Sequence, residues 1–105
     1  MTKSLRIRPK AELDVANAVR WYEEQRAGLG DEFLVELDSI LRRAIQSPLQ
    51  FPQIKIDIRR ALLRRFPSAV YFRVGEETMD LIAVLHQHRD PGMWERRVVA
   101  EPEKR

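Results

Sequence analysis

The sequence predicts an α+β sandwich: a short N-terminal strand, an antiparallel helical hairpin, and a three-stranded antiparallel meander forming one sheet that the hairpin covers on one face, closed by a short C-terminal helix. Three observations predict it. The apolar spacing changes near Ala11 from every second residue to every third or fourth, the glycines at 28 and 30 separate two helical stripes, and three β-type runs follow one another after Pro52.

Leu5-Arg6-Ile7-Arg8 alternates apolar and basic residues, which is the period of a half-buried strand, and Pro9 stops it. In the first helix Ala11, Val15, Ala18 and Tyr22 share one face, while Glu12, Arg20 and Glu23 can face water up to an end near Arg26. Ala27-Gly28-Leu29-Gly30 supplies the turn, and Asp31 and Glu32 stand where the positive start of a helix favours carboxylates. The second helix has the cleanest stripe in the chain, built of Phe33, Leu34, Leu37, Ile40, Leu41, Ala44 and Ile45, and Pro48 ends it. After a loop containing Phe51-Pro52, strands are expected at Ile58 to Phe66, Ala69 to Val74 and Met79 to Gln87, with turns at Pro67-Ser68 and Gly75-Glu76-Glu77-Thr78. Asp90 is placed to cap a short helix over Gly92 to Arg97 with Pro91 in its first turn, and residues 98–105 are expected to form a mobile tail. The second face of the sheet is then open.

At 105 residues the chain is one domain spanning 1–105, and its 44% hydrophobic residues suffice for a single core. It has no cysteine, which excludes disulfide scaffolds and thiolate zinc sites. The amino terminus carries no apolar stretch of signal-peptide type, and the longest apolar run, Leu81 to Leu85, is far below the roughly 20 residues that span a bilayer, so cytoplasmic residence without membrane contact is expected. The net charge of +3 is unevenly spread. Residues 1–52 are balanced, whereas between Lys55 and Arg73 six bases face the single acid Asp57. Such a patch attracts nucleic acid or an acidic protein segment, or else guards a sheet edge. The bias of 15 arginines to 4 lysines favours bidentate contact with phosphate or carboxylate.

His86 and His88 lie two apart on the last strand and are expected to share a face. Two histidines are too few for zinc, so no metal or other cofactor is expected, and a structural His86 is the simpler reading. For metal-independent RNA cleavage the necessary types are a base, an acid and cations on the phosphate, which His86, His88, Arg60, Arg64, Arg65 and Arg89 contain. Binding or capping roles for these residues are the alternative. Trp21 and Tyr22 fit core packing, while Trp94 either stacks on a base or pins the terminal helix.

Trp21-Tyr22-Glu23, Gly28-Leu29-Gly30 with Phe33 and Leu37, and Pro48 with Phe51-Pro52 are followed by Ile58-Arg59-Arg60 and Arg64-Arg65-Phe66-Pro67. Then come Val70-Tyr71-Phe72-Arg73-Val74, Ala83-Val84-Leu85-His86, Arg89-Asp90-Pro91 and Trp94. In order and spacing this set resembles the RelE/ParE superfamily of bacterial toxin–antitoxin modules, of plasmid-stabilisation type, over nearly the whole chain. The resemblance implies a cytoplasmic toxin that inhibits growth and is neutralised in a hetero-oligomer by a cognate antitoxin. RelE-like members cleave messenger RNA on the ribosome, and ParE-like members poison DNA gyrase. By this resemblance Ala69 stands at a catalytic arginine position, Leu62 at a lysine position, and the terminal tyrosine is absent with Trp94 nearby. Arg60, Arg64 and Arg89 remain as cationic candidates. Leu85-His86 and Arg89-Asp90 fit the ParE-like branch, so the expectation is a non-enzymatic gyrase inhibitor contacting its target or partner through Arg59, Arg60, Arg64, Arg65, Arg73, Arg89 and Trp94. A ribosome-dependent endoribonuclease and a disarmed protein-binding module are the alternatives.

Overall fold

A computed structural model describes residues 3–100. In chain order the elements are β1 (Ser4–Ile7), α1 (Pro9–Gln25), α2 (Leu29–Gln46), a 3-10 turn (Pro48–Gln50), β2 (Gln53–Lys55), β3 (Ile58–Leu62), β4 (Ser68–Val74), β5 (Thr78–His86) and α3 (Met93–Ala100). The sheet order is β1-β5-β4-β3-β2, antiparallel throughout except that β1 runs parallel to β5. The parallel pair follows from the crossover: the hairpin carries the chain across one face before the meander begins, leaving β1 at the far edge.

The α+β class and its elements agree with the sequence reading, with four differences. Pro9 opens α1 at a position where its missing N–H costs nothing, instead of only ending the strand. Strand β2 is additional: three residues with no alternation of their own pair with β3 through Gln53↔Arg59 and Lys55↔Ile58. Strand β3 stops at Leu62, because Leu63 and Phe66 turn into the core while Leu63 N–H reaches the Ser68 carbonyl at 3.0 Å. Helix α3 begins after Gly92, which holds a φ of 81°, and continues through Ala100, so the expected tail starts inside it. The remainder of that tail, 101–105, lies outside the described residues.

The core lies between the hairpin and the sheet. Phe33, Phe72, Met79, Leu81 and Val70 are fully buried there. Tyr22, Phe33 and Phe66 close around one another with ring centroids 4.8 to 5.4 Å apart. Each such side chain contributes about 1.5–3 kcal/mol through burial alone. The helices approach closely at Gly30, where an added Cβ would stand 3.0 Å from the Val19 carbonyl. Glu23, exposed as expected, also accepts the N–H groups of Gly28 at 2.9 Å and Gly30 at 3.0 Å. Those two bonds hold its carboxyl below the usual carboxylate range.

The second face is not open. Ala69, Tyr71, Ile82, Ala83 and Leu85 form a smaller core there, covered by Met93, Trp94 and Val98 of α3 and flanked by Ile54 of β2. A bulge makes this possible: Tyr71 pairs with Ala83 and Phe72 with Leu81, so Ile82 is the extra residue, and both Ile82 and Ala83 join the second face.

The edges of β5 explain how α3 is held. Strand β1 pairs with β5 only as far as Leu81, fastened by Arg6 and Arg8 on Asp80 at 3.2 and 2.9 Å. Beyond that point Asp14 of α1 accepts the Val84 N–H at 3.0 Å, and Arg97 of α3 donates to the Ile82 carbonyl at 3.0 Å. Arg97 and Asp14 are joined by two further bonds of 2.9 and 3.1 Å. At the end of β5, His86 Nδ1 accepts the N–H groups of His88 and Arg89, both at 3.1 Å, and so shapes the turn leading to α3. Burial, then Arg89 and His88, keep the His86 imidazolium disfavoured, against a smaller opposing pull from Asp90.

Asp14→Ala is expected to lower stability by about 2 kcal/mol or more, since it strands both a mostly buried guanidinium and a backbone N–H. Urea unfolding measures this, and the double variant with Arg97→Ala should lose less than the two single losses added together. His86 gives a pH dependence. Its folded pKa lies below 6.5, so the unfolded chain takes up the proton first, and stability should fall as pH drops below about 6.5. His86→Asn should flatten this slope in urea titrations.

Candidate functional site

The six bases between Lys55 and Arg73 do not form one patch. Strand period two sends neighbours to opposite faces. Arg59 pairs with Phe72 on the hairpin face and donates to the Phe51 carbonyl at 2.7 Å. Arg60 pairs with Tyr71 on the second face. Arg73, on that same face, is buried against Asp57 at 2.9 Å.

Arg64 and Arg65 sit in the loop after β3, beside α2. The Glu36 carboxylate accepts their backbone N–H groups. Arg65 bridges Glu32 at 2.7 Å, and its guanidinium lies 5.8 Å from the Phe66 ring. Glu32 also meets Arg26 at 3.2 Å, and its carboxyl is held below the usual range by Arg65 first and Arg26 second. An open cleft of about 900 Å³ runs here, with Glu32, Glu36, Arg43, Arg64 and Arg65 on its walls. Its charges largely answer one another.

The last two candidate groups separate as well. His88 lies beyond the end of β5 in an exposed turn, 5.8 Å from the His86 ring, so the two do not share a strand face. His86 itself sits against Trp21 of α1, on the hairpin side of the sheet. Arg89 lies 4.9 Å over the Trp21 ring. Thus His86 and Arg89 come together at one end of the molecule, Arg64 and Arg65 at α2, and Arg60 on the second face. Among the described residues no group of three or more His, Asp or Glu gathers to hold a metal ion, and no helix is long and apolar enough to cross a membrane.

The second face is the best-formed surface of the set. Trp94 stacks on Tyr71 with the rings 10° from parallel and centroids 5.7 Å apart. Arg60 stands beside that stack by register. Next along the same two strands, Leu62 pairs with Ala69: Leu62 is 48% exposed and Ala69 is fully buried. One cation, an aromatic pair and an apolar margin thus lie side by side. Both histidines lie elsewhere. Sequence reasoning missed Tyr71 as part of this surface, although its alternation with Ala69 and Arg73 carries the signal. It also missed Asp14, Glu32, Glu36 and Arg97, whose side-chain partners include groups 28 to 83 residues away in the chain.

Comparison with known proteins agrees with this architecture. No family model matches the chain. Toxin ParE2 of Mycobacterium tuberculosis, found in two strains, is 28% identical over 92 residues, which is 87% of this chain and 88% of that protein. A chain of the chromosomal ParDE toxin–antitoxin system from P. aeruginosa superposes with a TM-score of 0.71 at 18% identity, covering 81% of this chain and 96% of that one. The toxin RelE of E. coli, a double mutant in the free state, gives 0.63 at 13% identity over 97% of this chain and 100% of that one. The two structures speak to the fold, and the mycobacterial relative extends the likeness to the sequence across the same span. In its strand, hairpin, meander and terminal helix the chain has the fold of these RelE/ParE-type toxins, and in sequence it is similar to ParE2 over most of its length.

Proposed function

We propose that this single domain is the growth-inhibiting toxin of a type II toxin–antitoxin module in the cytoplasm, that a cognate antitoxin neutralises it in a hetero-oligomer, and that its target is DNA gyrase. Likeness to ParE2 and to a chain of a ParDE system supports the toxin and its antitoxin partner. One observation carries the choice of target: Leu62 and Ala69, at the positions where the resemblance places catalytic cations, are register partners in an apolar stretch of the second face. RNA cleavage develops charge on phosphate that preorganised cations must stabilise, and removing one such group typically costs ~100-fold or more in rate. Arg60 is the nearest cation on this face, and neither histidine stands with it. Blocking a topoisomerase needs contact alone, which Arg60, the Tyr71–Trp94 stack and exposed Leu62 supply.

Induction of the chain without a partner is expected to reduce colony counts by orders of magnitude. Normal growth with folded protein accumulating would favour a disarmed binding module. Purified protein should block supercoiling by gyrase and leave ribosome-bound messenger RNA intact; cleavage at defined codon positions with normal supercoiling would assign the nuclease role instead. Arg60→Ala, which disturbs no buried group, should weaken gyrase inhibition roughly tenfold in a supercoiling titration, as expected for a lost charged hydrogen bond.

A further inference from the structure

A polar cavity of about 240 Å³ lies between α1, the ends of β4 and β5, and α3, on the opposite side of the sheet from Arg60. Tyr22, Ser68, His86 and Arg89 line it, together with the Asp14–Arg97 pair. Several of its donors have no hydrogen-bond acceptor among the described residues. Tyr22 and Ser68 are both buried, and their hydroxyl oxygens are 2.9 Å apart. Two hydroxyls bring two hydrogens and their mutual bond uses one, so the other has no protein acceptor among the described residues. The His86 ring accepts two N–H groups at Nδ1, which places its own hydrogen on Nε2. That N–H likewise finds no protein acceptor among the described residues. Arg89 has an aromatic face beneath it and no carboxylate within ion-pair distance among the described residues.

The Asp14 acceptor is already engaged. Asp14 takes two bonds from Arg97 and one from Val84 N–H. Asp90 is the remaining carboxylate on the wall, and it limits how much negative charge the cavity can take. Three donors without a protein acceptor therefore line the cavity: a hydroxyl where β4 meets α1, a ring N–H at the end of β5, and a guanidinium in the turn.

We propose that this cavity binds one phosphate-type oxyanion. A tetrahedral anion accepts bonds from several directions, whereas a planar carboxylate is matched by a two-pronged donor. The volume holds the phosphate group itself, so the ligand is free phosphate or the terminal phosphate of a nucleotide whose remainder stays outside. Bound there, the anion joins the turn at Arg89 to β4 and α1 beside the anchor of α3. The site is independent of the gyrase surface on the second face.

Thermal unfolding of the full chain in rising inorganic phosphate, at ionic strength held constant with chloride, tests the proposal. A saturable rise in Tm is expected, as for any ligand that binds only the folded state. Ser68→Ala and Arg89→Gln should each weaken the apparent affinity roughly tenfold or more. Arg96→Gln, on α3 outside the cavity, should not. The readout is the phosphate-dependent increment, so a lower baseline Tm in Ser68→Ala does not confuse it. In a second arm, binding of adenosine 5′-monophosphate but not adenosine supports the terminal phosphate as the natural ligand, and binding of inorganic phosphate without the nucleotide supports the free ion. No saturable rise, an equal rise with acetate, or a rise retained in both variants overturns the proposal.

Discussion

The Asp14 carboxylate is the contact on which the rest of the molecule depends. A four-residue β1 cannot pair with all of a nine-residue β5, and an unpaired strand edge both forfeits hydrogen bonds and invites other chains. Asp14 accepts the N–H that β1 leaves behind, and through Arg97 it also answers a carbonyl of the same edge. Because Arg97 belongs to α3, closing the edge also seats the last helix. The seated helix in turn lays Trp94 on Tyr71 and walls off the polar cavity. Edge, recognition surface and cavity thus share one anchor.

What the sequence shows and hides follows from how far each signal reaches. The stripe Phe33, Leu37, Ile40, Leu41 and Ala44 is buried as its period requires, though Leu34 at the margin is exposed. Strand β2 was illegible because three residues cannot display a period of two. The bulge at Ile82 was hidden inside a continuous apolar run, in which shifting one residue to the other face changes no residue type. The covered second face went unseen for a related reason: α3 is short and charged, and what it buries is Trp94 and Met93, not a full apolar stripe. Arg6 and Arg8 look like solvated flanks in the sequence, yet both reach Asp80, more than 70 residues on.

The basic segment shows the same limit from the functional side. Counting charges along the chain treats Arg59, Arg60, Arg64, Arg65 and Arg73 as one field, but the backbone distributes them over three surfaces. Most are consumed locally by Asp57, Glu32 or a carbonyl. On the second face Arg73 is held by Asp57, and Arg60 is left beside the Tyr71–Trp94 stack. Such a surface selects through shape and aromatic contact more than through long-range attraction.

The Arg97–Asp14 pair also orders events in time. The two residues stand 83 positions apart, so when the chain grows from its amino terminus, α1 is complete long before its carboxylate meets the guanidinium. Contacts so distant in sequence form late, since the loop between them must close first. Until α3 emerges, the outer edge of β5 and the apolar patch around Tyr71 are both uncovered. The chain is thus most adhesive during synthesis, before the finished molecule has sealed its own edge.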